Sequence, residues 1–429
     1  MGYCMNPFLE KPISLLSALE NFKELYPRPY CKNTVDPYTK TRIILMNGTE
    51  FEANWFSHQL ARHTTDADLK RELALTRAIE KEQQLKISLL KPANESALEH
   101  TISYEQLAVD LTAELAKREG DCHVKRALDF ALLEDFDHLY RYANLLEMTE
   151  GICAERLVGR YTEITPGRPT VAHHRFPMDN LRCPINGAAS AKETVLATMI
   201  ITAAEQQTMN YYMNVTNLAE NDLARRLYQE IALVEEEHVT HYESLMDPTL
   251  SWLSMLLWHE YCECYLYWSC YMTESDRGIK ALWERYFTYE VAHLHKAKEL
   301  LEKYEGKDAA EIIPDGTFPA PLSLHENIEY VRCVLENTVQ FTSVPDGYEK
   351  IDDLPSGADF FRYQGILIPL TSIVPSHDVI VAHQRRAGKD YRYEVAPNPV
   401  PELRDRCEDN TSVGRIAGAA SSTSFDCNG

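Results

Sequence analysis

One chemical pattern occurs twice in this chain, offset by 155 residues, and it restricts the available folds more than any other feature. The later copy reads Glu205, Glu235-x-x-His238, Glu260, Glu290-x-x-His293. The earlier copy reads Glu50, Glu80-x-x-Gln83, Glu105, Asp135-x-x-His138. Successive carboxylate positions in each copy are 30, 25 and 30 residues apart. That is the cadence of four helices, each returning a carboxylate to the same height. The repeat reaches past these positions: Leu145-Leu146-Glu147-x-x-Glu150-Gly151 recurs as Leu300-Leu301-Glu302-x-x-Glu305-Gly306. The register from Glu80 to Gly151 matches that from Glu235 to Gly306 without a gap.

The residue types carry a chemical expectation. Residues three apart on a helix project from one side, so both groups of Glu-x-x-His face the same way. Glu205, Glu235, His238, Glu260, Glu290 and His293 together make four carboxylates and two imidazoles. Such a mixed oxygen and nitrogen set suits two Fe or Mn ions in a bundle core. Without cations the buried carboxylates would take up protons or unfold the bundle. A lone Glu-x-x-His belongs ordinarily to an exposed helix face, but two of them with glutamates at matching offsets are a different matter. Glu260 shares a helical stripe with Leu253, Leu256, Leu257, Cys264 and Tyr267, which favours it over Glu263 as the ligand from that helix. Glu236, Glu237, His241 and His295 are assigned to solvated faces or to the surroundings of the ligands. Glu50, Glu80, Gln83, Glu105, Asp135 and His138 form a weaker second site. There Gln83 replaces an imidazole and Asp135 a glutamate, so one or two ions would be held less firmly.

Helix signals divide the chain. Asn221 or Asp222 caps a helix running to Met246, Ser251 caps the next, and Gly306 closes the fourth. In the earlier copy, 65–90 and 122–148 read as helices, Ser103-x-x-Gln106 reads as a capping box, and Asn47-Gly48 sets Glu50 near a helix start. The expected layout is an N-terminal extension at 1–39, a bundle at 40–151, a connector at 152–189, a second bundle at 190–306 and an irregular α/β extension at 307–429. A helix is expected near 324–337 and short strands at 364–374 and 379–383, with a poorly ordered tail from Arg404. Residues 91–102, if extended, reach about 40–43 Å, enough to cross back over a short bundle. A plain up-down-up-down bundle is the alternative.

Bulk properties exclude several partners. The formal charge of -22 argues against nucleic acid and against an anionic membrane surface. No apolar run is long enough to span a bilayer. The N-terminus lacks a basic segment followed by an apolar one, and Asn6 breaks the myristoylation pattern. The 11 cysteines include no C-x-x-C pair, which predicts reduced thiols in a cytoplasmic protein and no rubredoxin-type iron site or zinc ribbon. Cys262, Cys264 and Cys270 are expected as buried thiols. Tyr211, Tyr212, Tyr261, Tyr265, Tyr267, Tyr286 and Tyr289 are expected as large core residues, some hydrogen-bonded to ligands.

On Glu205, Glu235-x-x-His238, Glu260 and Glu290-x-x-His293, residues 190–306 resemble the ferritin-like superfamily of diiron carboxylate proteins, in particular the rubrerythrin and ferritin group. The resemblance implies an all-α chain of two tandem four-helix bundles, with a dinuclear site in the second and a partly degenerate one in the first. It implies ferroxidase, peroxidase or oxygenase activity on dioxygen or peroxide, with a small organic substrate as a further partner. The electron donor is unspecified, and a homodimer is compatible with this reading. Metal storage, delivery or sensing without turnover, and a structural scaffold, are the competing functions.

Overall fold

The computed structural model describes residues 5–345, 347–369, 374–387 and 392–404. It is mostly helical, with one two-stranded sheet among the described residues. Eight long helices carry the repeat: α1 (Pro37–His63), α2 (Ala67–Ser88), α3 (Ala97–Arg118), α4 (Cys122–Glu150), α5 (Lys192–Leu218), α6 (Asp222–Glu243), α7 (Trp252–Thr273) and α8 (Arg277–Glu305). The bounds of α5 to α8 are those of α1 to α4 shifted by 155. The capping residues repeat with them. Asp66 and Asn221 accept from the third backbone N–H of α2 and α6, and Ser96 and Ser251 do the same for α3 and α7. Asp121 and Asp276 cap α4 and α8. Gly151 and Gly306 end those two helices at φ 69° and 66°. In that left-handed conformation a side chain is strained, and each glycine N–H returns to the carbonyl four residues back.

Several local expectations change. The α3 helix starts six residues before Ser103, because Ser96 and Glu99 form the reciprocal capping box. Glu50 lies mid-helix in α1, not near a start. The Asn47-Gly48 pair does not break α1, because it accommodates Gln207: a Cβ on Gly48 would lie 2.6 Å from Gln207 Nε2. Gln207 donates from that nitrogen to Ile44 O at 2.8 Å and accepts from Asn47 Nδ2 at 2.8 Å.

The larger correction concerns which helices pack together. The compact units are not the contiguous bundles expected at 40–151 and 190–306. The first unit comprises Met1–Glu95, Pro184–Gln207 and Met246–Leu324. The second comprises Ser96–Cys183, Thr208–Leu245 and His325–Gly429. The first therefore joins the α1–α2 hairpin of one repeat to the α7–α8 hairpin of the other. The second joins α3 and α4 to α6 and to the C-terminal part of α5. The crossover expected at 91–102 does not exist, since 97–102 are already helix. The segment 89–96 that remains reaches at most about 29 Å extended, whereas the 22 residues of α2 span about 33 Å. It is also tied down where α1 begins: Glu95 pairs with Lys40 Nζ at 3.0 Å and accepts from the Tyr30 hydroxyl at 2.9 Å. The chain consequently leaves the first unit at Ser96 instead of folding back along it.

The C-terminal segment belongs to the second unit. Helix α9 (Ile328–Thr338) matches the expected one; Val331, Val334 and Leu335 share a core with Leu132, Leu133 and Phe136 of α4. An antiparallel hairpin, β1 (Phe341–Val344) and β2 (Gly347–Lys350), follows in the register Phe341↔Lys350. Of the strands expected at 364–374 and 379–383, residues 364–367 lie in α10 (Asp359–Leu367) and 379–383 in α11 (Pro375–Ala387), while 370–373 lie outside the described residues. Pro375 suits a first helical turn, and Ser376, Val379, Ile380 and His383 bury one helical face. The tail expected from Arg404 lies outside the described residues beyond 404. No described helix is long and apolar enough to cross a membrane. Ser96→Ala should cost about 1 kcal/mol of stability through the lost cap, measured by denaturant unfolding; an unchanged midpoint would mean the capping box does not hold α3.

Candidate metal centres

Buried carboxylate and histidine clusters able to hold metal ions occur in both units. In the first unit, α1 contributes Glu50, α2 Glu80 and Gln83, α7 Glu260 and Glu263, and α8 Glu290 and His293. None is more than 2% exposed. Ligand atoms of Glu80, Glu260 and His293 lie within 4.8 Å of one another, and so do those of Glu260, Glu263 and Glu290. The two trios share Glu260, as a carboxylate between two cations would. His293 Nδ1 is 3.1 Å from Glu290 Oε2, 3.8 Å from Glu260 Oε2 and 3.9 Å from Glu80 Oε1. Gln83 clamps two of these carboxylates through its amide nitrogen, while its Oε1 has no hydrogen-bond partner among the described residues. Its amide donates to Glu50 Oε1 at 2.8 Å and to Glu290 Oε1 at 2.6 Å. The Tyr267 hydroxyl donates to the same Glu50 oxygen.

The donor set fits hard divalent cations. Among the described residues, Glu50 Oε2, Glu80 Oε2, Glu260 Oε2, both Glu263 oxygens and His293 Nε2 have no hydrogen-bond partner. Among the described residues, no Lys or Arg pairs with any of these glutamates. An uncompensated buried charge costs several kcal/mol, and the protein's own response is protonation. Burial and the neighbouring carboxylates push Glu50, Glu260 and Glu263 well above the usual range. Burial likewise pushes Glu80 up to about 7, although His293 opposes it.

The second unit meets the same problem with its own cations. Ligand atoms of Glu105, Asp135, His138 and Glu235 lie within 4.8 Å of one another. His138 Nδ1 is 3.0 Å from Glu235 Oε1 and 4.0 Å from Glu105 Oε2. His238 Nδ1 is 3.1 Å from Glu235 Oε2 and 3.3 Å from Asp135 Oδ1. Its other nitrogen is 2.5 Å from Glu134 Oε2. Glu134 accepts from Arg175 at 2.9 and 3.0 Å and from Arg168 at 3.1 Å. Burial would raise Glu134, but Arg175, His173 and His238 hold it well below the usual carboxylate range. His238 and His138 bring Glu235 down to about 2 against the effect of burial. His238 is itself held well above the usual histidine range despite burial, by Asp135, Glu235 and Glu134. The Tyr212 hydroxyl donates to Glu105 Oε1 at 2.5 Å. A histidine with one nitrogen on a carboxylate and the other facing a ligand cluster is the arrangement that orients metal-ligating imidazoles.

The sets read along the chain are thus regrouped. Glu260, Glu290 and His293 join Glu50, Glu80 and Gln83, whereas Glu235 and His238 join Glu105, Asp135 and His138. Glu205 is buried midway along α5, the helix that both units share, and forms no cluster with Glu260, Glu290 or His293 among the described residues. Glu263, the rejected rival, is in the first cluster together with Glu260. Of the outer residues, Glu236 is exposed as expected. His241 is not solvated: it is fully buried, 3.1 Å from Asn180 O and 3.0 Å from the Tyr348 hydroxyl. Glu134, Arg168, His173 and Arg175 were not foreseen. The available signal was the basic run around 168–175 in a connector, with an acid beside Asp135 to receive it. Cys262, Cys264 and Cys270 are buried, and burial pushes their thiols up, which keeps them protonated.

The raised Glu80 has a consequence for stability. A carboxyl that titrates at about 4.5 unfolded and about 7 folded favours folding while protonated in the native state, and that contribution is lost as pH rises between those values. The metal-free chain should therefore melt at a lower temperature near pH 8 than near pH 5.5, and excess divalent metal should remove the difference because metal displaces the protons. Melting curves without and with metal test this; a metal-free chain as stable at the higher pH contradicts it. Comparison with known proteins supplies no identification: no family model, no curated protein and no solved structure matches the chain.

Proposed function

We propose that the chain is a non-haem dimetal carboxylate redox protein of the ferritin-like kind, using Fe or Mn to reduce dioxygen or peroxide. One observation carries this reading. In the first unit five buried glutamates and one imidazole converge from four helices, with no Lys or Arg paired to the carboxylates among the described residues. Two overlapping trios share Glu260 there. Oxygen-rich sets with one imidazole favour Fe and Mn over softer-site metals. A bound pair of these ions supplies electrons and open positions for a small oxidant.

The chain's residues have distinct roles in this proposal. Gln83 fixes Glu50 and Glu290 through one amide nitrogen. Tyr267 holds a proton on the Glu50 oxygen, next to the cluster and out of contact with water, since it is fully buried. Cys264, close to Glu260 and Glu290, and Trp283, against Tyr267, are fully buried and keep that side of the cluster dry. The second unit is a second metal centre in the same proposal, in which binding must displace the His238 proton. A cytoplasmic setting and oxidation of a small organic substrate belong to the same proposal, as does an electron donor of unspecified kind.

Elemental analysis of the purified chain should find Fe or Mn, and peroxide should change the near-ultraviolet absorption of the iron-loaded form. His293→Ala should remove about half of the tightly held metal by emptying the first unit only. Unchanged metal content would contradict the assignment. Tyr267→Phe should leave metal content intact while slowing the peroxide reaction about ten-fold or more. Metal that is held but inert to both oxidants would instead favour storage, delivery or sensing.

A further inference from the structure

Within the first unit, a narrow cavity of about 20 Å³, room for about one water molecule, opens beside the glutamate cluster. Thr49 and Glu52 of α1, Thr202 of α5, and His259, Cys262 and Glu263 of α7 are among its lining. On α7 the positions 259, 262, 263 and 266 form one helical stripe along it. Glu260 and Tyr267 occupy the neighbouring stripe that faces the cluster. Glu263 belongs to both: it lines the cavity, and its ligand atom lies within 4.8 Å of those of Glu260 and Glu290. It is 1% exposed, and neither of its oxygens has a hydrogen-bond partner among the described residues. Glu52, the most exposed charged group in the lining, pairs with His259 Nδ1 at 2.9 Å. The Glu52 side chain is 17% exposed and that of His259 9%. The His259 ring stacks on Phe56 at 4.2 Å, which holds it over the cavity side of α7.

We propose that this cavity is the route by which a divalent cation enters the first unit's cluster, with the Glu52–His259 pair at its mouth and Glu263 as the receiving carboxylate. The inference rests on the dimetal reading of that cluster. Glu52, Glu263 and the threonine hydroxyls are oxygen donors of the kind a cation shedding its water needs, while Met199, Ile200, Ala203, Met246 and Leu266 make the rest of the lining apolar. An arriving cation takes the place of His259 on Glu52. Glu263, with both oxygens uncommitted, then accepts the cation and passes it to Glu260 and Glu290 without leaving the cluster. An acidic mouth also raises the local cation concentration and the rate of entry.

The test is stopped-flow uptake of cobalt(II) by the full, metal-free chain, followed by its visible absorption. The kinetic phase absent from His293→Ala belongs to the first unit. Glu52→Gln should slow that phase about ten-fold or more with its amplitude unchanged. Thr202→Met, which narrows the cavity from another helix without altering charge, should slow it as well and serves if the first variant misfolds. A first-unit phase at the unaltered rate in both variants overturns the route. So does normal loading combined with slowed peroxide reaction of the iron-loaded variants, which would make the cavity a path for the oxidant. If the unaltered chain shows no first-unit phase at all, the dimetal reading falls and the route with it.

Discussion

The structure turns on acidic side chains held out of water with too little positive charge to match them. Glu50, Glu80, Glu260, Glu263 and Glu290 meet a single imidazole inside the first unit. Hydrophobic packing of the surrounding helices forces them together, and the only exits from the resulting repulsion are protons or metal ions. The long helices, the shared capping residues and the aromatic walls all serve to keep these groups at one height. Loss of that alignment would return each carboxylate to solvent.

The two units resolve the same problem differently. The first leaves oxygens uncommitted. The second recruits Arg168 and Arg175 from the connector and uses Glu134 to anchor His238. A protein built from a duplicated segment has here kept the ligand positions while changing the charge that surrounds them. Gln83 in place of an imidazole shows part of the difference within the motif, while Arg168 and Arg175 lie outside the repeat and are not revealed by it.

Much of the architecture was legible from residues. The offset of 155 held for the long helices and their caps, down to the closing glycines, because capping chemistry is local. The burial of the candidate carboxylates was also readable from helical phase, whereas phase did not separate Glu260 from Glu263, since both join the cluster. Which hairpins pair was not. In a tandem repeat every hairpin has two equivalent complements, and both arrangements satisfy the same periodic pattern. Proximity along the chain then favoured the wrong one. Gln83 likewise read as a poor ligand because its type was visible, while its role as a bridge between Glu50 and Glu290 depends on α8, which comes from the other repeat. Gly48 read as a helix break since its partner, Gln207, is remote in sequence. The strands expected after residue 360 failed for a related reason: short apolar runs fit either period until their neighbours are known.

The interleaved pairing also sets an order of assembly during synthesis. Helices α1 and α2 emerge early, but the α7–α8 hairpin that covers their acidic face is completed only some 200 residues later, about 10–40 s at ordinary ribosome speeds. For that interval the nascent half carries Glu50 and Glu80 without the helices that bury them. Cutting the polypeptide between its two repeats would separate each hairpin from its mate, and neither fragment would contain a complete pair of facing hairpins.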